Sequence, residues 1–264
     1  MMMHMTKDNN SALNKNTRVE VSDSLLKDKA DTFASYIDKL RSGKLVFLAP
    51  LSLEAMAIRK SGALVKKTGM GKDKSLKFAE YYSGEVQSSS NLIVLGIAGG
   101  CDARLQPGDI LIANTIYKIQ KNGSIDKTST SNSIELQESG VLSQLIQYAR
   151  LEKDPLAAVR YNLYNAPIGC SETIVKGEAR KNAFLDNIPA VEMESFWLAP
   201  KLIDRSGTFH VIRVVLDTPD SELFSPTTLV KLKIALSQLR QIAEIIQSIK
   251  NIQNLENFLG TTPS

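Results

Sequence analysis

The sequence predicts an α/β fold: a single domain with a central mixed β-sheet flanked by helices. Two observations carry this. Continuous apolar runs recur along the chain at 44–51, 91–98 and 208–216, and such runs mark strands buried on both faces. Between them stand segments whose apolar residues repeat at helical spacing, the alternation of helices layered on a sheet. A length of 264 residues suits one such domain. With 43% hydrophobic and 23% charged residues, wholesale disorder is excluded.

The elements follow in order. Residues 1–21 are polar, rich in Asn and Lys, and read as a disordered tail. Over 22–43, Leu25, Leu26, Phe33, Ile37 and Leu40 repeat at helical spacing, Ser22 or Asp23 can cap the start and Gly43 stops it. This N-terminal helix is expected to pack outside the main domain, which spans 44–260. After the first strand, 54–60 reads as a helical turn. A second strand over 63–68 closes in Thr68-Gly69-Met70-Gly71, and 72–84 is helical. A fourth strand, 109–119, follows the third and is entered through Pro107-Gly108. Residues 121–135 are turn-rich and form a loop or hairpin, then 140–151 is a helix. The strand over 166–175 runs into a helix near Gly177, and 190–193 feeds a helix through Trp197 and Leu202. Residues 227–259 are helical, with a broad apolar stripe that fits core or a subunit face.

Composition excludes several classes. The net charge of +4 is mild and gives no argument for nucleic acid. The first residues contain no apolar core of signal-peptide length, and no run reaches the roughly 20 apolar residues of a membrane span, so a cytoplasmic protein is expected. Cys101 and Cys170 are too few for a disulfide scaffold and fit as small hydrophobes. His4 and His210 are the only histidines, so no metal spacing exists and no cofactor is expected. His210 lies inside an apolar strand, as a satisfied core histidine would, which argues against a Ser-His-Asp triad. Gly96-Ile97-Ala98-Gly99-Gly100 fits neither a P-loop nor GxGxxG.

Functional groups in such folds collect beyond strand ends. There the chain places Glu54, the Thr68–Gly71 turn, the glycines from Gly96, Glu192-Met193-Glu194 and Asp217. Taken singly each has a plain reading. Glu54 fits a solvated helix face, Asp217 a turn cap before Thr218-Pro219, Gly99-Gly100 a tight turn, and Arg213 an ion-pair partner for Glu192 or Glu194.

Together, and in this order, they resemble the nucleoside phosphorylase and nucleosidase superfamily. The resemblance rests on Gly96 to Gly100 followed by Leu105-Gln106-Pro107-Gly108-Asp109, on Val191-Glu192-Met193-Glu194, on the strand from Arg213 to Asp217, and on Glu54 and the Thr68–Gly71 turn. It spans residues 44–247. Among its subgroups the chain is similar to methylthioadenosine/adenosylhomocysteine nucleosidases. The Gly-Ile-Ala-Gly-Gly wording and the Met-Glu-Ser continuation at Ser195 are more similar to hopanoid-associated phosphorylase-like proteins.

The resemblance implies hydrolysis of the N-glycosidic bond of a purine nucleoside, a 5′-substituted adenosine, with release of adenine. It implies Asp217 as the acid that protonates the base, held neutral against apolar walls. Glu194 would clamp the ribose hydroxyls and Glu54 would orient the attacking water. Met70, Ala98, Gly99, Glu192, Met193 and Ile174 would contact substrate, and a homodimer is expected. Two alternatives stand beside this: phosphorolysis of the same bond, and a non-catalytic nucleoside-binding protein. Ile97 and Leu216 stand where many nucleosidases carry hydroxyls, and residues 170–175 offer no aromatic to stack on a base. For a phosphorylase, Arg59 and Arg104 are the remaining candidate phosphate donors.

Overall fold

The computed structural model describes residues 23–125, 130–153, 156, 160–219 and 227–251. The expected tail over 1–21 and the end of the last helix lie outside these. Helix α1 (Asp23–Ser42) leads into β1 (Leu45–Ala49), α2 (Ser52–Arg59), β2 (Val65–Lys67) and α3 (Lys72–Tyr82). Strands β3 (Asn91–Gly100), β4 (Ile110–Ile119) and β5 (Ser133–Glu135) precede α4 (Ser139–Lys153). The chain continues through β6 (Leu163–Ser171), α5 (Glu178–Leu185), β7 (Ala190–Glu192), α6 (Ser195–Leu202), β8 (Thr208–Asp217) and α7 (Thr228–Lys250).

The eight strands form one mixed sheet. β1, β2, β3 and β8 run parallel to one another. β4, β6 and β7 run parallel to each other and opposite to that group. Because β8 pairs with both β3 and β4 while β7 joins β3 to β6, five strands close into a ring. Closure removes two edges that would otherwise present unpaired backbone groups. It also brings the end of β7 beside the end of β3, where Val191 pairs with Gly99.

Alternation along β8 sorts its side chains. Ile212, Val214 and Leu216 face a core shared with α1, α2, α4 and α7. Val211 and Val215 face a second core built with α3 and α6. The period of two therefore puts Arg213 and Asp217 on the face of Val211 and Val215. The β3–β8 ladder shifts register between Ala98 and Gly99, so Gly99 lies opposite Asp217.

One expectation changes, and two that stood open are decided. Helix α1 is part of the core and not an outer addition: Phe33, Tyr36, Ile37 and Leu40 are buried, and Tyr36 Oη lies 2.8 Å from His210 Nε2 on β8. The segment after β4 is a hairpin, since β5 pairs antiparallel with Thr115–Tyr117. Of the two readings of the apolar stripe of α7, core holds for most of it. Leu239, Ile242, Ile245, Ile246 and Ile249 are buried in this chain's own core.

Candidate active site

The site is built from strand ends. Beyond β1, Glu54 occupies the third position of α2 and reaches back so that its Oε2 accepts the Leu51 N–H at 2.7 Å. This is the carboxylate half of a capping box. Its Oε1 accepts the Ile97 N–H at 2.8 Å. The side chain is thus tied to the start of one helix and the end of β3, and Glu54 is 2% exposed. The solvated-face reading is overturned, because two backbone donors offset the cost of burying the carboxylate. Burial holds the Glu54 carboxyl above its usual range, against the pull of the Ile97 N–H and the Arg213 charge.

At the end of β7, Glu192 accepts the N–H groups of Glu194 and Ser195 and the Ser195 hydroxyl, and pairs with Arg213. Its carboxylate thereby caps α6 and anchors a buried cation. Glu194 accepts the Gly71 N–H at 3.0 Å through Oε1 and faces Arg213 Nη2 at 3.5 Å through Oε2. Burial, then repulsion from Glu192, raises the Glu194 carboxyl to about 7.

Asp217 ends β8 and is 2% exposed. Beside the apolar wall of Ile174, Val175 and Leu216 stands a cation. Arg180 of α5, itself buried, donates from Nη2 to Asp217 Oδ2 at 2.9 Å. The same guanidinium donates to the Val175 carbonyl at 3.0 Å and the Gly100 carbonyl at 3.3 Å. A guanidinium at this distance favours the carboxylate over the neutral acid. Gly99 makes room for the pair: a Cβ there would lie 2.6 Å from Arg180 Nη2 and 3.2 Å from Asp217 Oδ1.

These groups surround one cavity of about 220 Å³. All nine residues singled out in the sequence line it: Glu54, Met70, Ala98, Gly99, Ile174, Glu192, Met193, Glu194 and Asp217. So do Ile97 and Leu216, the former contributing a backbone N–H that any side chain would leave in place. Arg180 was missed. It lies in a short basic stretch with Lys176 and Lys181 that reads as surface, and no motif marks it. The candidate phosphate donors are elsewhere. Arg59 donates to the Val65 carbonyl and Arg104 clamps Asp102, and neither lines the cavity. Cys101 and Cys170 are buried thiols, the first pushed up to about 12 by desolvation. No group of His, Cys, Asp and Glu among the described residues could hold a metal ion.

A mixed sheet closed on itself, with carboxylates converging at its strand ends, defines the nucleosidase or phosphorylase class of enzyme. The chain belongs to the phosphorylase superfamily, whose family model matches residues 56–224. Among solved structures it is similar to the 5′-methylthioadenosine/S-adenosyl homocysteine nucleosidase of Campylobacter jejuni, at 16% identity and a TM-score of 0.61, covering 80% of this chain and 100% of that one. The corresponding Helicobacter pylori enzyme, a mutant with 5′-methylthioadenosine in its active site, gives 17% identity, a TM-score of 0.59 and coverage of 79% and 98%. Futalosine hydrolase of Helicobacter pylori gives 18%, 0.58, and coverage of 80% and 98%. Comparison with curated proteins found no match. These likenesses establish the fold. No helix among the described residues is long and apolar enough to cross a membrane.

Proposed function

We propose that this protein hydrolyses the N-glycosidic bond of a purine nucleoside, a 5′-substituted adenosine, releasing adenine. The observation that carries the reading is the convergence of Glu54, Glu194 and Asp217, each buried, on a single cavity. Breaking the bond leaves positive charge on the ribose and negative charge on the base. Glu54 orients a water and takes its proton as the oxygen attacks C1′. The C1′–N9 electron pair goes to the base, and Asp217 gives a proton to N7. Arg180 stabilises the carboxylate that remains. Glu194 grips the ribose hydroxyls, with Met193 against the apolar side of the sugar. Ala98 and Gly99 admit the base closely, between Met70 and Ile174.

Water is favoured over phosphate by charge. The Leu51 and Ile97 N–H groups beside the nucleophile position already serve the Glu54 carboxylate. A phosphate dianion there would meet a buried anion instead of free donors. A homodimer fits the half-exposed apolar side chains Leu53 and Met56 on α2 and Met70 and Ile174 at the cavity.

The test is product analysis on a panel of adenosine derivatives. Adenine and a free ribose derivative are expected, at a rate independent of phosphate. Turnover that requires phosphate and yields ribose 1-phosphate would overturn hydrolysis. Binding without adenine release across the panel would favour a nucleoside-binding protein.

A further inference from the structure

We propose that the site selects a nucleoside whose 5′ substituent ends in an acid without an accompanying amine, and that Lys118 holds this charge in a recess opening off the catalytic cavity. The inference deepens the nucleoside-cleavage reading and rests on it.

The catalytic cavity itself repels anions. Glu54, Glu192, Glu194 and Asp217 line it, and its lining cation, Arg180, already serves Asp217. An anionic substituent is stable there only if it extends toward uncompensated positive charge.

Such charge stands beside the cavity. A recess of about 430 Å³ is lined by Lys118, Gln120, Lys121, Ser171, Glu172 and Thr173, and Thr173 lines the catalytic cavity as well. Lys72 Nζ pairs with Glu172 Oε1 at 2.8 Å and so occupies the carboxylate of this recess. Lys118, half-buried near the end of β4, makes no ion pair among the described residues, and its ammonium lies 5.5 Å from the centre of the Trp197 ring. Lys72 sits over the same ring at 5.0 Å. An indole face attracts a cation without neutralising it, so the recess keeps an excess of positive charge.

The recess lies on the sugar side. Gly71, next to Lys72, donates its N–H to Glu194, the proposed ribose clamp, and the Trp197 backbone N–H donates to the Glu194 carbonyl. Asp217 and Arg180, placed at the base, do not line the recess. With the ribose hydroxyls committed to Glu194, the 5′ substituent is the part of the sugar free to carry an acid there. An ammonium on the same tail would face Lys118 and Lys121 and find Glu172 already paired.

The experiment compares kcat/KM for adenine release from three 5′-thio derivatives of 5′-deoxyadenosine. They are the carboxypropyl compound, its uncharged amide, and S-adenosylhomocysteine, whose tail adds an ammonium to the same acid. The wild type should favour the carboxylate over the amide by about tenfold at low salt, the worth of one charge-assisted hydrogen bond. S-adenosylhomocysteine should fall below the carboxylate. The carboxylate-to-amide ratio should shrink as salt rises. It should drop to about one in Lys118→Met, which removes the charged donor. It should grow in Glu172→Gln, which removes a competing anion and frees Lys72. A wild-type ratio near one, a ratio that Lys118→Met leaves in place, or a preference for the ammonium-bearing tail would overturn the proposal. If Lys118→Met does not fold, Glu172→Gln, at an exposed position, decides, and an unchanged ratio there overturns it. Should the wild type release adenine from none of the three, the cleavage reading fails. Binding of the same compounds, followed by the fluorescence of Trp197, the only tryptophan, then tests the recess by itself. The carboxylate should bind about tenfold tighter than the amide, and equal binding would overturn the recess.

Discussion

Asp217 and Arg180 form a pair whose members ask opposite things of the same proton. As donor to the base, Asp217 must be protonated, while Arg180 at 2.9 Å favours its charged form. Arg180 therefore stabilises the carboxylate that is left once the proton has gone to the base. Asp217→Asn should reduce the turnover rate by about 10²–10⁴-fold, the usual worth of general-acid catalysis, with folding retained by circular dichroism. An unchanged rate would remove Asp217 from the mechanism. Arg180→Met should lower the turnover rate, since the carboxylate left after proton transfer would lose its buried counter-charge. An unchanged rate in a folded variant would refute that role.

At the scale of elements, α1 is tied to β8 through a buried polar contact. Tyr36 meets His210 Nε2 at 2.8 Å, and His210 Nδ1 has no hydrogen-bond partner among the described residues. The expectation of a satisfied core histidine thus holds for one ring nitrogen. Burial, with the Lys39 charge beside it, lowers His210 from 6.5 to about 4. A group with a depressed folded-state value binds its proton first when unfolded. The stability it contributes is present above pH 6.5 and is lost as pH falls toward about 4, by about 3 kcal/mol in all. Thermal melts over that window should show the loss, and His210→Gln should flatten it. Equal slopes in both proteins would place the acid sensitivity elsewhere. Tyr36→Phe should cost about 1–3 kcal/mol by stranding a buried ring nitrogen, read from denaturant midpoints.

For the whole molecule, most of the α7 stripe fills the core and is not available to a partner. Exposed apolar residues that could meet a partner include Leu53 and Met56 of α2 and Met70 and Ile174 at the cavity rim. Light scattering should give the mass of a dimer. Met56→Glu, placing a charge on a half-exposed apolar position, should reduce it to that of a monomer. A wild-type monomer would sink the assembly while leaving the site's chemistry untouched.

The sequence by itself determined the alternation of strands and helices and the strand ends where chemistry collects, while the nine residues around the cavity were singled out through the family resemblance. It could do so because buried strands write continuous apolar runs, and because carboxylates beyond such runs stand out. Only the tertiary structure decided their states. Ring closure through β7 and β8 set Arg213 among three glutamates and Arg180 against Asp217. It also buried Glu54, which a local reading leaves in solvent, and turned the α7 stripe inward. Ionisation and burial depend on neighbours distant along the chain, and a linear pattern carries no record of which residues those will be.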